Sequence, residues 1–107
     1  MNIGDIMWFR YRDIDFDYDE RYVTEEFIKN FFDKAIDLSK KVKIFEINIE
    51  STNFAMIYIE KTEKPDEWDC ETINFYKLLT NEGYDVSYAD EDYGEGLDVL
   101  LIYNDEE

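Results

Sequence analysis

Histidine is absent from this chain, cysteine occurs once, at Cys70, and proline occurs once. Without histidine the usual general base and the commonest metal ligand are missing. One cysteine excludes an intrachain disulfide and any cage built from several thiolates. Cys70 has no histidine to activate it, and Asp66, Glu67, Asp69 and Glu71 around it raise the cost of a thiolate. No catalytic residue, cofactor site or metal site is therefore expected, and the chain reads as a non-enzyme. The start, Met1-Asn-Ile-Gly-Asp-Ile-Met-Trp, lacks a basic stretch followed by an apolar one, so no signal peptide is expected. No apolar run approaches membrane-spanning length. A cytoplasmic setting follows as the expectation (the host cytoplasm, for a phage-encoded protein), with no membrane partner.

Basic residues are also scarce: 11 Lys and Arg stand against 28 Asp and Glu, for a net charge of −17 over 107 residues. Solubility alone asks for a magnitude of about 2–8 in a small domain. Hydrophobic residues make up 45 % and aromatics 18 %, too apolar for a disordered acidic tail. The chain is expected to fold as one domain over 1–107. Its charge is uneven. Residues 24–64 hold eight acids and seven bases, whereas 78–107 hold ten acids and no base. Such asymmetry points to an acidic interaction surface rather than an even solvation coat.

Residues 6–18 show a period near two and read as one strand. Thr24 suits an N-cap, with Glu25 and Glu26 in the first turn. Phe27, Ile28, Phe31, Phe32, Ala35 and Ile36 then share one helical face, and Phe27, Phe31, Phe32 and Ile36 are expected to be buried. From 42 to 50 the chain alternates, with Phe45, Ile47 and Ile49 opposite Glu46, Asn48 and Glu50. Residues 51–53 are turn material, and 54–61 form the returning strand. After a polar connection, Trp68, Thr72, Phe75 and Leu79 mark a second helix from about 66 to 81, stopped by Gly83. Strands are expected at 84–89 and 97–103. This β-α-β-β-α-β order with an additional C-terminal edge strand predicts an α+β, ferredoxin-like (split β-α-β) fold. Its helices would cover one face of a mainly antiparallel sheet.

The most distinctive stretch runs Asp13-Ile-Asp-Phe-Asp-Tyr-Asp-Glu20. In a strand, Asp13, Asp15, Asp17 and Asp19 share one side at roughly 6.6 Å intervals, with Ile14, Phe16 and Tyr18 behind. A carboxylate row of this kind resembles a row of nucleic-acid phosphates. The same segment fails as a calcium loop, because the sixth position is Tyr18 and the twelfth Thr24. A second acidic segment holds Asp90, Glu91, Asp92, Tyr93 and Glu95. Gly94-x-Gly96 within it lacks the rest of a phosphate loop. The expected contact set for a partner is thus Asp13, Asp15, Asp17, Tyr18, Asp19, Glu20, Asp90, Glu91, Asp92, Tyr93 and Glu95, with Tyr18 and Tyr93 as contact aromatics. The tail, 105–107, is expected at the same end of the sheet as the first segment.

Two short strings, Trp68-Asp69-Cys70 and Tyr93-Gly94-Glu95 followed by Leu97-Asp98, are similar to strings in barstar-type acidic ribonuclease inhibitors. They cover eight positions and occur in the reverse order. What the resemblance offers is a physical parallel, a small acidic inhibitor of a basic nuclease. The leading expectation is an acidic nucleic-acid mimic of the phage anti-CRISPR or anti-restriction kind. Its partner would be a basic nucleic-acid-binding protein or nuclease, and it would not bind nucleic acid itself. The alternatives are an immunity protein or antitoxin holding a basic toxin nuclease, and a non-catalytic accessory or oligomerisation domain, with a homodimer possible.

Overall fold

A computed structural model of the chain describes residues 6–62, 67–89 and 96–104. The elements run β1 (Ile6–Tyr11), β2 (Ile14–Asp19), α1 (Glu25–Leu38), β3 (Ile44–Ser51), β4 (Phe54–Glu60), α2 (Cys70–Asn81), β5 (Asp85–Tyr88) and β6 (Leu97–Tyr103). The expected single strand over 6–18 is instead a hairpin. Arg12 and Asp13, at φ 54° and 66°, form a two-residue turn between Tyr11 and Ile14. Two adjacent left-handed residues have the twist that antiparallel strands need, and Gly or Asn is the usual choice. Here the turn is held from outside. Arg12 donates to Asp33 at 3.2 Å and pairs with Asp37, both on α1.

That turn overturns the split topology. The six strands lie in the order β1-β2-β3-β4-β6-β5. β2 and β3 are adjacent and parallel, joined across α1, and every other pairing is antiparallel. In a split arrangement a strand would lie between β2 and β3, and the closing strand would flank β2. Here β1 occupies that flank. The last strand is not an edge either: β6 lies between β4 and β5, and its apolar run Val99–Ile102 suits an interior strand.

The α1 boundaries follow local chemistry. Thr24 Oγ1 accepts the Phe27 N–H at 3.1 Å, and Glu25 and Glu26 fill the first turn. Helix α2 starts at Cys70, four residues later than expected, with Asp69 as N-cap. Trp68 thus precedes the helix and packs on Tyr88, which also stacks on Tyr76. Gly83 (φ 101°) turns the chain after α2, as its position suggested. Both helices cover the same sheet face. Ile28, Phe32 and Ala35 of α1 and Phe75 and Leu79 of α2 join one buried cluster with Phe16, Ile47, Ile57, Leu100 and Ile102. Phe27, Phe31 and Ile36, expected inside, are only half-buried beside that core.

Candidate functional site

Among the described residues the other sheet face carries no helix, and two sequence patterns divide it. On its β4–β6–β5 side Met56, Val99 and Ala89 form a small buried cluster with Phe54, Tyr58 and Leu101. Its β1–β2–β3 side is acidic. Strand alternation sends Ile14, Phe16 and Tyr18 into the core and leaves Asp15, Asp17 and Asp19 on the open face. This much of the expected carboxylate row is present in the fold. Asp13 is not part of it, because it sits in the turn, and Glu20 is exposed just beyond the strand. Tyr18 is only 6 % exposed, and its hydroxyl meets Glu25 at 3.3 Å, so its ring is not available to a partner. Asp90, Glu91, Asp92, Tyr93 and Glu95 lie outside the described residues, as does the tail, 105–107.

What period-two reading missed is the neighbour on each side. The parallel register sets Glu46 beside Asp15 and Asn48 beside Asp17, while the hairpin sets Trp8 opposite Asp17 and Ile6 opposite Asp19. Trp8 is 60 % exposed and Ile6 55 %, so the aromatic standing at the acidic row is Trp8. Two irregularities in the β3–β4 pairing leave Phe45 and Glu50 as unmatched residues. The first lets Ile44 pack toward the core while Glu46 faces outward, and Phe45, expected on the Ile47 side, is exposed. Glu50, on the same side as Asn48, borders a shallow hollow of about 250 Å³ shared with Ile6, Asp17, Asp19 and Asn48.

The ends of the row are neutralised locally. Arg10 pairs with Asp15 at 2.9 Å, and Arg21 grips both oxygens of Asp19, holding that carboxyl below the usual range. The centre has no such cation among the described residues. Glu46 is pushed up to about 7, first by burial, then by a hydrogen bond to Asp17 and the charges of Asp17 and Asp15. Asp17 Oδ1 is buried and meets no N–H or O–H donor among the described residues, so a proton kept on Glu46 supplies the donor that oxygen otherwise lacks.

That proton links stability to pH. Folded Glu46 keeps it up to about pH 7, whereas an ordinary glutamate releases it near 4.5. Raising the pH through this window therefore favours the unfolded chain. The penalty is absent below the window and complete above it. Solvent screening reduces it to about 1–2 kcal/mol. Glu46→Gln is expected to stabilise the protein by that amount at about pH 8 and to change little at about pH 4. Urea titrations at the two pH values check this, and equal effects at both would remove the shared proton.

No group of acidic, cysteine or histidine residues with metal-holding geometry occurs among the described residues. No helix among them is long and apolar enough to cross a membrane. No protein-family model, curated protein or solved structure matches the chain.

Proposed function

We propose that the acidic half of the open sheet face binds a cationic groove that otherwise holds nucleic acid, so that the protein acts as a nucleic-acid mimic. The observation that carries this is the placement of Asp15, Asp17, Asp19, Glu46 and Glu50 on two adjacent strands of one sheet face that no helix covers among the described residues. Neighbouring strands stand about 4.8 Å apart, and alternate residues along a strand are roughly 6.6 Å apart, so the carboxylates form a two-dimensional array. A chain of net charge −17 adds a long-range field that steers a basic partner toward it. The uncovered Trp8 supplies a flat ring at the array's border, of the kind enriched where binding energy concentrates. An inhibitor of a nuclease or of another nucleic-acid-binding protein is the reading this surface supports best.

The test is competition, followed by selective neutralisation. The partner, captured from a lysate at low salt, should release its nucleic acid when this protein binds, and association should slow steeply as salt rises. Asp17→Asn with Glu50→Gln is expected to weaken that complex about tenfold or more. Glu26→Gln with Glu71→Gln, which removes the same charge from the helical layer, should weaken it far less. Asp33 and Asp37 are unsuitable for this comparison, because both hold Arg12. A ternary complex with nucleic acid still bound would refute mimicry.

A further inference from the structure

Resting on that reading, we propose that the partner engages β1 by strand addition: an extended basic segment pairs with the outer edge of β1 and lays its cationic side chains over the Asp17 side of the acidic face. β1 ends the sheet on this side, and no described residue pairs with its outer edge. The hairpin register states which backbone groups are available. In a two-residue hairpin the residues flanking the turn, here Tyr11 and Ile14, exchange both backbone hydrogen bonds. Alternation then makes Phe9 and Met7 face β2, while the N–H and C=O groups of Arg10, Trp8 and Ile6 point outward.

The side chains on this edge are unusual for an uncovered strand. Ile6, Met7 and Trp8 are three consecutive exposed large hydrophobics, whereas natural edges are commonly blunted by charge, proline or a bulge. An added strand would extend both faces of β1. Its residues on one face would continue Met7 and Phe9 and favour apolar side chains. Those on the other would flank Ile6 and Trp8 and lie about 10 Å, two strand spacings, from Asp17 and Asp19. At that distance Lys or Arg can lie across the Trp8 ring and reach toward the Asp17 carboxyl. The segment that fits alternates basic and apolar residues. A second copy of this chain fits poorly, since two molecules of net charge −17 repel.

A short peptide of alternating lysine and valine serves as the probe. Hydrogen exchange read by NMR should slow at the Trp8 and Arg10 amides when it binds. The same peptide N-methylated at alternate residues, which removes the N–H groups that would face β1, should bind at least about tenfold more weakly. Trp8→Pro removes the outward N–H and leaves the β1–β2 ladder intact, and Trp8→Ala removes the ring alone. The proline variant should bind the peptide about tenfold more weakly than the alanine variant. Should Trp8→Pro fail to fold, the exchange and N-methylated-peptide measurements on the native chain still decide. Equal binding of the two peptides, equal binding of the two variants, or protection on β5 instead of β1 would overturn strand addition. So would concentration-dependent protection of the β1 amides without peptide, which would mark self-pairing. In each case the acidic-face reading stands if Asp17→Asn with Glu50→Gln still weakens binding, and falls if it does not.

Discussion

Replacing Lys61 by Met, or Asp98 by Leu, is expected to cost about 3–5 kcal/mol, because either change strands the other charge in the interior. Only 10 % of the Lys61 side chain and 2 % of Asp98 are exposed, and the two form an ion pair. Lys61 also donates to the Glu67 carbonyl and lies 5.9 Å from the centre of the Trp68 ring. Asp98 accepts the Asp69 N–H at 3.2 Å. Asp69 in turn accepts the Thr62 N–H at 2.6 Å and its hydroxyl at 3.1 Å. One network therefore ties the residues after β4, the start of β6 and the N-terminus of α2. At about 4–8 °C per kcal/mol for a domain near this size, the melting temperature should fall by more than about 10 °C. The double variant, Lys61→Met with Asp98→Leu, should recover most of the loss, since matched hydrophobes replace buried ion pairs at little cost. Thermal unfolding of the three variants checks this. Single-variant losses below about 1 kcal/mol would show the pair to be solvated.

Phe32→Ala is the other large effect, also about 3–5 kcal/mol. Phe32 is 1 % exposed, stands edge-on to Phe31 at 4.8 Å and lies 5.9 Å from Phe16. Its loss would open a cavity between α1 and the sheet that close-packed neighbours cannot fill. Phe31→Ala should cost only about 1–2 kcal/mol, although the two rings are adjacent in sequence. Phe31 is half-buried and borders an open hollow with Phe27, Tyr84 and Tyr103. Urea titration of both variants separates the two positions. Equal losses would mean that Phe31 is as deeply packed as Phe32.

The contrast between those two rings shows where the helical pattern stops being informative. Spacing places Phe27, Phe31, Phe32 and Ile36 on one apolar arc. The depth of each position depends on how closely the second helix approaches, and the hollow bordered by Phe27, Phe31, Gly83 and Tyr84 keeps part of that arc half-covered. The buried charge pair is a sharper case. In sequence Lys61 reads as part of a polar connection, because its partner is 37 positions away on another strand.

Sequence alone determined the features that depend on neighbours a few residues away. Thr24 and its acidic first turn set the start of α1, Gly83 ends the turn after α2, and the run from Leu97 to Tyr103 is a strand. Alternation likewise put Asp15, Asp17 and Asp19 on the side opposite Ile14, Phe16 and Tyr18. These are local outcomes of backbone geometry, a cap or a period of two. Tertiary structure alone decided which strands meet. Arg12 and Asp13 adopt a left-handed turn beside Asp33 and Asp37 on α1, and that hairpin places β1 where the split fold needs its closing strand. The parallel register then sets Glu46 beside Asp15 and Asn48 beside Asp17, and the antiparallel one sets Trp8 opposite Asp17. Strand pairing is chosen by the burial of both faces of the whole sheet at once, a sum over residues far apart in the chain that no local period contains.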